Sequence, residues 1–458
     1  MVGERSISRR KFIGSIVSAG VLGAIAGSLG GYFMAPREIS MAPVTETVTI
    51  TKTIAQPTTQ TITQPVKRLE TIKIGSAHPL TGWDAPSGRE MHRGSEMAVE
   101  EINKQGGVLD ATIEWVELDS EDMTAEKMTS VMTILATKEK VNWVIYGYTA
   151  AYTPTYTTLA QYNIPFMHVD TAYEFIEWIK GNPDKAYLGW MPDPPEVIYG
   201  AGFAKFIEYT IDREIWKPRN YKVAVIRGED SYAQRIAQRF IDEMVKKGWK
   251  VVLDETVSFE TVDFEPYLAK VRVEEPDVIL NTDWAVTGFA NFAKQFSEDP
   301  TPSWILGQWA PSVPEFKEMA GDAANGIVWS SVIGFLPPEK DPVAREWYEK
   351  YKRRYGEEPG LMAAVNYDMF WLWANAAQLA GSIDPKKMAP VLERLIYRGV
   401  CGVYNFNEYH YCISYPSETY DPSLGLPHLH YQIKKGRDVL VAPTPYSVEE
   451  PELPSWFH

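Results

Sequence analysis

Residues 221–257 read YKVAVIRGEDSYAQRIAQRFIDEMVKKGWKVVLDETV. The stretch 221–227 is strand-like, 232–247 is helical, and 251–257 is strand-like again. A strand, a helix and a strand of these lengths make a βαβ unit, so the two strands lie parallel in one sheet. The alternation continues downstream as helix 264–273, strand 277–281, helix 286–296 and strand 304–307, and helix 196–211 precedes it.

Pro192, Pro194 and Pro195 interrupt the pattern, and a second run lies before them. It reads strand 71–79, helix 89–104 ended by Gly106-Gly107, strand 111–118, helix 124–138, strand 142–148, helix 152–162 and strand 165–169. Two such runs predict an α/β protein with two Rossmann-like lobes built on parallel sheets. The last third is helix-rich (342–355, 362–380, 385–397). Antiparallel strands follow around 400–406 and 430–441, with Lys435-Gly436-Arg437 as a turn.

The N-terminus has a different character. Arg9-Arg10 precedes an uncharged run of 23 residues, Ile13 to Ala35, about 35 Å long as a helix. A paired arginine before a mildly apolar stretch is the pattern of a twin-arginine export signal. Residues 44–65 then hold nine threonines in 22 residues with two prolines, the composition of an extended stalk. We expect a signal and membrane anchor over 1–39 and a stalk over 40–69. The protein is then exported to the cell surface or periplasm and anchored through its N-terminal segment.

The remaining chain carries 37 basic against 57 acidic side chains, a formal −20, which argues against nucleic acid as a partner. The two cysteines, Cys401 and Cys412, are spaced for a hairpin closed by a disulfide, as an oxidising compartment permits. His410 between them lacks further ligands at metal spacing, so no metal site is expected. His428 and His430, two apart on one strand face, read as surface decoration.

Ligands of open α/β sheets sit beyond the C-terminal strand ends. In the first lobe these ends carry Trp83, Tyr148, Thr149, Ala150, Asp170 and Thr171. In the second they carry Asp230, Tyr232, Asp283, Trp284 and Trp309. Hydroxyls and helix-opening amides around Thr149 suit a carboxylate or carbonyl. Asp230 and Asp283 suit ammonium or amide protons, and the aromatic rings suit shielding and cation–π contact. The bland alternative for each Thr or Asp is a helix N-cap, and for Trp83 and Trp284 a plug at the lobe interface.

The order Pro79-Leu80-Thr81-Gly82, Gly88, Gly94, Ala98, Glu101-Ile102-Asn103 and Gly106-Gly107, with Asp119, resembles the type I periplasmic binding proteins of branched-chain amino acid, amide and urea uptake. Gly147-Tyr148-Thr149, Asn163-Ile164-Pro165-Phe166, Ser231-Tyr232-Ala233, Tyr367-Asp368, Gly381-Ser382 and Tyr431-Gln432-Ile433 extend the resemblance over about 71–443. It implies lobes joined by three crossings, lobe one as 70–192 plus 327–395, lobe two as 193–326 plus 396–446, and a tail at 447–458. It implies a monomer that captures a small solute, uses no cofactor, and docks on an ABC transporter permease. Thr149 and Thr171 then face a carboxylate or carbonyl, with Tyr232 across the cleft. The amino-acid binders carry an acid at the start of the helix after Trp284. Here Val286 and Thr287 open it and the acid is Asp283, a departure from the α-amino-acid pattern, and the extra tryptophans point toward an amide, a larger amino acid or another compact polar solute.

The same fold also serves extracellular sensor domains, but the one span-length apolar run is N-terminal and no second span is expected. No Gly-x-Ser-x-Gly or His-Glu-x-x-His occurs, so an enzyme is not expected.

Overall fold

β1 (Thr71–His78) alternates very little, and all but its first residues are withdrawn from solvent, as in a sheet covered on both faces. It lies between β2 (Thr112–Asp119) and β3 (Trp143–Ile145). β4 (Phe166–Met167) and β5 (Gly189–Trp190) complete a parallel sheet of order β2-β1-β3-β4-β5. Its connections are α1 (Ala85–Lys104), α2 (Ala125–Ile134), α3 (Tyr152–Gln161) and α4 (Tyr173–Gly181). These assignments come from a computed structural model that describes residues 70–457. The expected signal, anchor and stalk lie outside the described residues. Among the described residues no helix is long and apolar enough to cross a membrane.

The second sheet contains β6 (Lys222–Gly228), β7 (Lys250–Val257), β8 (Val278–Asn281), β9 (Trp304–Gln308) and β10 (Val328–Ser331). α5 (Val197–Asp212), α6 (Ser231–Lys246), α7 (Glu265–Glu274), α8 (Val286–Glu298) and α9 (Pro314–Ala320) accompany them. α10 (Pro342–Tyr355), α11 (Leu361–Ala380), α12 (Pro385–Leu392) and the short strands β11 (Ile396–Arg398), β12 (Val403–Asn405), β13 (Ser414–Tyr415) and β14 (Leu426–Pro427) follow. β15 (Leu429–Lys434) and β16 (Arg437–Ala442) then add antiparallel strands, giving the order β16-β15-β10-β9-β8-β6-β7.

Ile72, Ile74, Trp143 and Trp190 of the first sheet share one core with Trp347, Phe370, Trp373 and Met388 of α10–α12. α1 and α11 meet so closely that a Cβ on Gly94 would lie 2.1 Å from the Ala363 carbonyl oxygen, which explains the glycine. The second core forms around Phe203, Phe206, Val225, Phe240, Leu280 and Trp304.

Five expectations are corrected. Residues from 327 were assigned to the first lobe, but β10 pairs with β9 and β15 in the second sheet, so the chain leaves that sheet only after Ser331. Residues from 396 were assigned to the second lobe, but Val400, Tyr404 and Phe406 pack in the core of the first sheet. The terminal residues form no loose tail. The Trp456 indole donates to the Ser303 carbonyl at 2.9 Å, and Phe457 packs edge-on against Trp216 and beside Trp304.

The fourth is the disulfide. Cys401 and Cys412 are both buried free thiols. The turn sets Phe406, not Cys401, opposite Cys412, and the Cys401 amide is held by Asp368 of α11 at 2.8 Å. Burial pushes both thiols up, so neither is an activated thiolate. His428 and His430 are not surface decoration either. Both are buried, with His428 Nε2 2.9 Å from Ser330 Oγ and a ring centroid separation of 4.5 Å.

Candidate functional site

The strand ends of the first lobe are built around carboxylates. Beyond β1, the Leu80 and Thr81 amides and the Thr81 hydroxyl all donate to Asp119, at 3.0, 3.2 and 2.6 Å. The Trp83 amide donates to Asp122 at 3.2 Å, leaving its ring 64% exposed. The Tyr148 hydroxyl donates to Asp84, whose carboxyl is pushed up by burial. Thr149 is buried, and its amide donates to Asp170 Oδ1 at 2.8 Å.

Asp170 also accepts the hydroxyls of Tyr156 at 2.6 Å and Tyr146 at 3.1 Å, and lies 2.9 Å from His168 Nδ1. Its carboxylate therefore knits the core beneath the strand ends. Thr171 holds φ +51°, a costly value for a β-branched residue. Its hydroxyl donates to Asp193 at 2.5 Å, and its carbonyl accepts the Glu196 amide at 2.9 Å. Ala150 is exposed and borders a hollow of about 580 Å³ with Asp122, Thr124, Tyr152 and Glu174.

In the second lobe Asp230 caps α6, accepting the Ala233 amide at 2.8 Å. Its other oxygen accepts the Trp284 indole at 2.9 Å, and that ring packs on Phe259 with centroids 4.5 Å apart. The Tyr232 hydroxyl accepts from Gln308 Nε2 at 3.2 Å. Asp283 Oδ1 accepts the Ala285 amide at 2.9 Å, while Oδ2 is buried without a hydrogen-bond partner among the described residues. Burial, then the neighbouring charges of Asp230 and Glu229, push its carboxyl up to about 6. Trp309 is 41% exposed at φ +30°, a strained value for so bulky a residue.

Asp283 and Thr149 are both buried. Asp230 and Trp284 touch one another, and Tyr232 joins Gln308 at the end of β9. Asp193, Glu196, Glu174, Arg235 and Tyr152 were passed over, because 192–195 read only as a proline break and Arg235 only as one helical charge.

Those residues join the lobes. Arg235 of α6 donates to Glu174 of α4 at 2.7 Å and to Glu196 at 3.1 Å. The other oxygen of Glu196 accepts the Tyr173 amide at 2.6 Å. Burial, with repulsion from Glu174 and against the pull of Arg235, pushes the Glu196 carboxyl up to about 8. The Tyr152 hydroxyl, on the first lobe, is pushed up by burial and by charges from both lobes, Asp170, Glu174, Glu196 and Asp230. Among the described residues no group of three or more His, Cys, Asp or Glu side chains is arranged to hold a metal ion.

Relatives share this architecture. A Leu-, Ile-, Val-, Thr- and Ala-binding protein of Pseudomonas aeruginosa is 23% identical over 339 residues, covering 74% of this chain and 86% of that protein. A Leu/Ile/Val-binding protein homolog of Brucella abortus is 25% identical, covering 63% of this chain and 72% of that one. The crystal structure of a Silicibacter pomeroyi protein assigned to a branched-chain amino acid ABC transporter superposes with a TM-score of 0.81 at 34% identity. It covers 84% of this chain and 100% of its own. A Streptococcus pneumoniae branched-chain amino acid transporter substrate-binding protein, in complex with isoleucine, shares the fold at a TM-score of 0.63 and 23% identity, covering 81% of this chain and 100% of its own. The family model described as periplasmic binding protein matches residues 71–411, and the chain belongs to this family of solute-binding proteins, which are not enzymes.

Proposed function

We propose that the chain captures a small polar solute of the amino-acid or amide class between its lobes and delivers it to an ABC permease. One observation carries the reading: Arg235, one turn into α6 of the second lobe, reaches Glu174 at the start of α4 of the first. The C-terminal strand ends of two parallel sheets thereby face one another, the position where open α/β sheets take ligands. Relatives named for Leu, Ile and Val binding support the amino-acid side of the class. The N-terminal pattern of paired arginines, apolar run and threonine-rich spacer supports an exported protein held at the membrane. The ligand contacts in this reading are the strand-end loops of both lobes, with Tyr232, Asp283 and Trp284 on the second.

A thermal-shift panel of aliphatic amino acids, their amides, urea, amines and sugars tests it. A true solute at a hundred times its Kd adds about 2.7 kcal/mol, a rise of a few degrees. A folded protein with no selective response across the panel contradicts solute capture.

A further inference from the structure

In the first lobe, four of the donors placed to greet a carboxylate are already committed. The Thr149 amide is bound to Asp170, the Ala151 amide to Thr149 Oγ1 at 3.0 Å, the Tyr173 amide to Glu196, and the Thr171 hydroxyl to Asp193. At three of the four a solute carboxylate meets a carboxyl oxygen in place of a free N–H or O–H.

Acceptors show the reverse. Asp193 Oδ1, Asp283 Oδ2 and Gln308 Oε1 are buried and have no hydrogen-bond partner among the described residues. Asp193 lies at the crossing between the lobes, Asp283 just beyond β8, and Gln308 at the end of β9. Tyr232 is bonded to Gln308 and lies in the field of Asp193 and Glu196, whereas Asp283 lies beside Asp230 and Glu229. A buried acceptor with no donor costs about 1–3 kcal/mol, and a native fold keeps one where something else supplies the proton. The nearby guanidinium does not, because Arg235 is held by Glu174 and Glu196. Unmet acceptors beside tyrosine rings match an N–H-rich cation, which gains both the hydrogen bonds and cation–π attraction.

Resting on the solute-capture reading, we propose that the solute carries an ammonium or amidinium group and no carboxylate, so that the site selects an amine over the zwitterionic amino acid of the same side chain. The test titrates the full chain calorimetrically with 3-methylbutylamine, L-leucinamide and L-leucine, which share one isobutyl group. The amine and the amide should bind at least ten times more tightly than leucine. Asp193→Asn should narrow that ratio. Asp283→Asn, in the other lobe and independent of the Thr171 contact, should narrow it too.

Leucine binding as tightly as the amine overturns the proposed class and leaves solute capture standing. A ratio unchanged in both folded variants overturns the assignment of these acceptors. Binding of none of the three, nor of any compound in the thermal-shift panel, overturns the capture reading and this inference with it.

Discussion

Asp170 and Asp283 each lie just beyond a parallel strand, β4 in the first lobe and β8 in the second, and both are buried. Their partners differ. Asp170 has two tyrosine hydroxyls, one amide and a histidine nitrogen around it. Asp283 has one amide, and one oxygen is left unmet. A buried carboxylate with all its donors is part of the framework, whereas one kept short of donors is held ready for something that arrives. On the proposed reading, the same residue type just beyond a parallel strand serves stability in one lobe and recognition in the other.

The largest effect should follow from breaking the first half of that contrast. Asp170→Ala strands the Tyr146 and Tyr156 hydroxyls and the Thr149 amide in the core. We expect a loss of about 3–5 kcal/mol in urea unfolding, with ligand affinity of the surviving folded fraction changed little. A variant of normal stability with abolished binding would return Asp170 to the ligand site.

Asp283→Asn tests the other half. The Asp283 carboxyl sits at about 6 in the fold, above its unfolded value of 3.8. The folded chain therefore holds the proton more tightly, and this group removes stability as pH rises from about 4 to about 6. The Asn variant should lose that slope and be as stable as the parent, or more so, at pH 7. For a cationic solute, affinity of the parent should strengthen as pH rises through 6, and the variant should bind about tenfold more weakly above that pH. Calorimetry at pH 5 and pH 7.5 reads both, and an affinity independent of pH in the parent removes Asp283 from the site.

This contrast also marks what could be read without coordinates. The strand–helix alternation was legible because buried parallel strands are nearly continuous apolar runs, and 222–228 and 250–257 lie within a residue or two of expectation. α4 was missed because Tyr173–Gly181 follows a strand of only two residues and no capping side chain announces it. Strand ends could be located, but whether an acid there faces inward or toward a ligand depends on residues far away in sequence. Tyr146 and Tyr156 decide the role of Asp170, and no local pattern ties them to it. The Cys401–Cys412 spacing failed for the same reason, since Asp368 on a distant helix sets where Cys401 lies.

Arg235→Ala addresses the junction between the halves. The guanidinium is partly exposed, so its pairing with Glu174 is worth about 1 kcal/mol rather than the value for a buried pair. Without it the Glu196 carboxyl, already at about 8, rises further and stays neutral beside Glu174. We expect a fivefold loss of solute affinity, with small-angle scattering showing a larger radius in the variant. An unchanged radius and affinity would make the pair a surface contact of no consequence to closure.

The smallest effect distinguishes two roles for Trp284. Its indole donates to Asp230, its ring rests on Phe259, and 36% of it is exposed. Trp284→Phe keeps the ring contact and removes the donor, while Asp230 still caps α6 through Ala233. Freed of the indole, one Asp230 oxygen gains capacity to accept from a solute, so affinity for an amine should rise or hold within twofold. The lost neutral-to-charged hydrogen bond at a partly exposed site costs the fold about 0.5–1 kcal/mol. A destabilisation beyond about 2 kcal/mol would instead identify Trp284 as a plug whose packing holds the strand-end loops together. In that case the aromatic wall of the second lobe belongs with Asp170, on the structural side of the comparison.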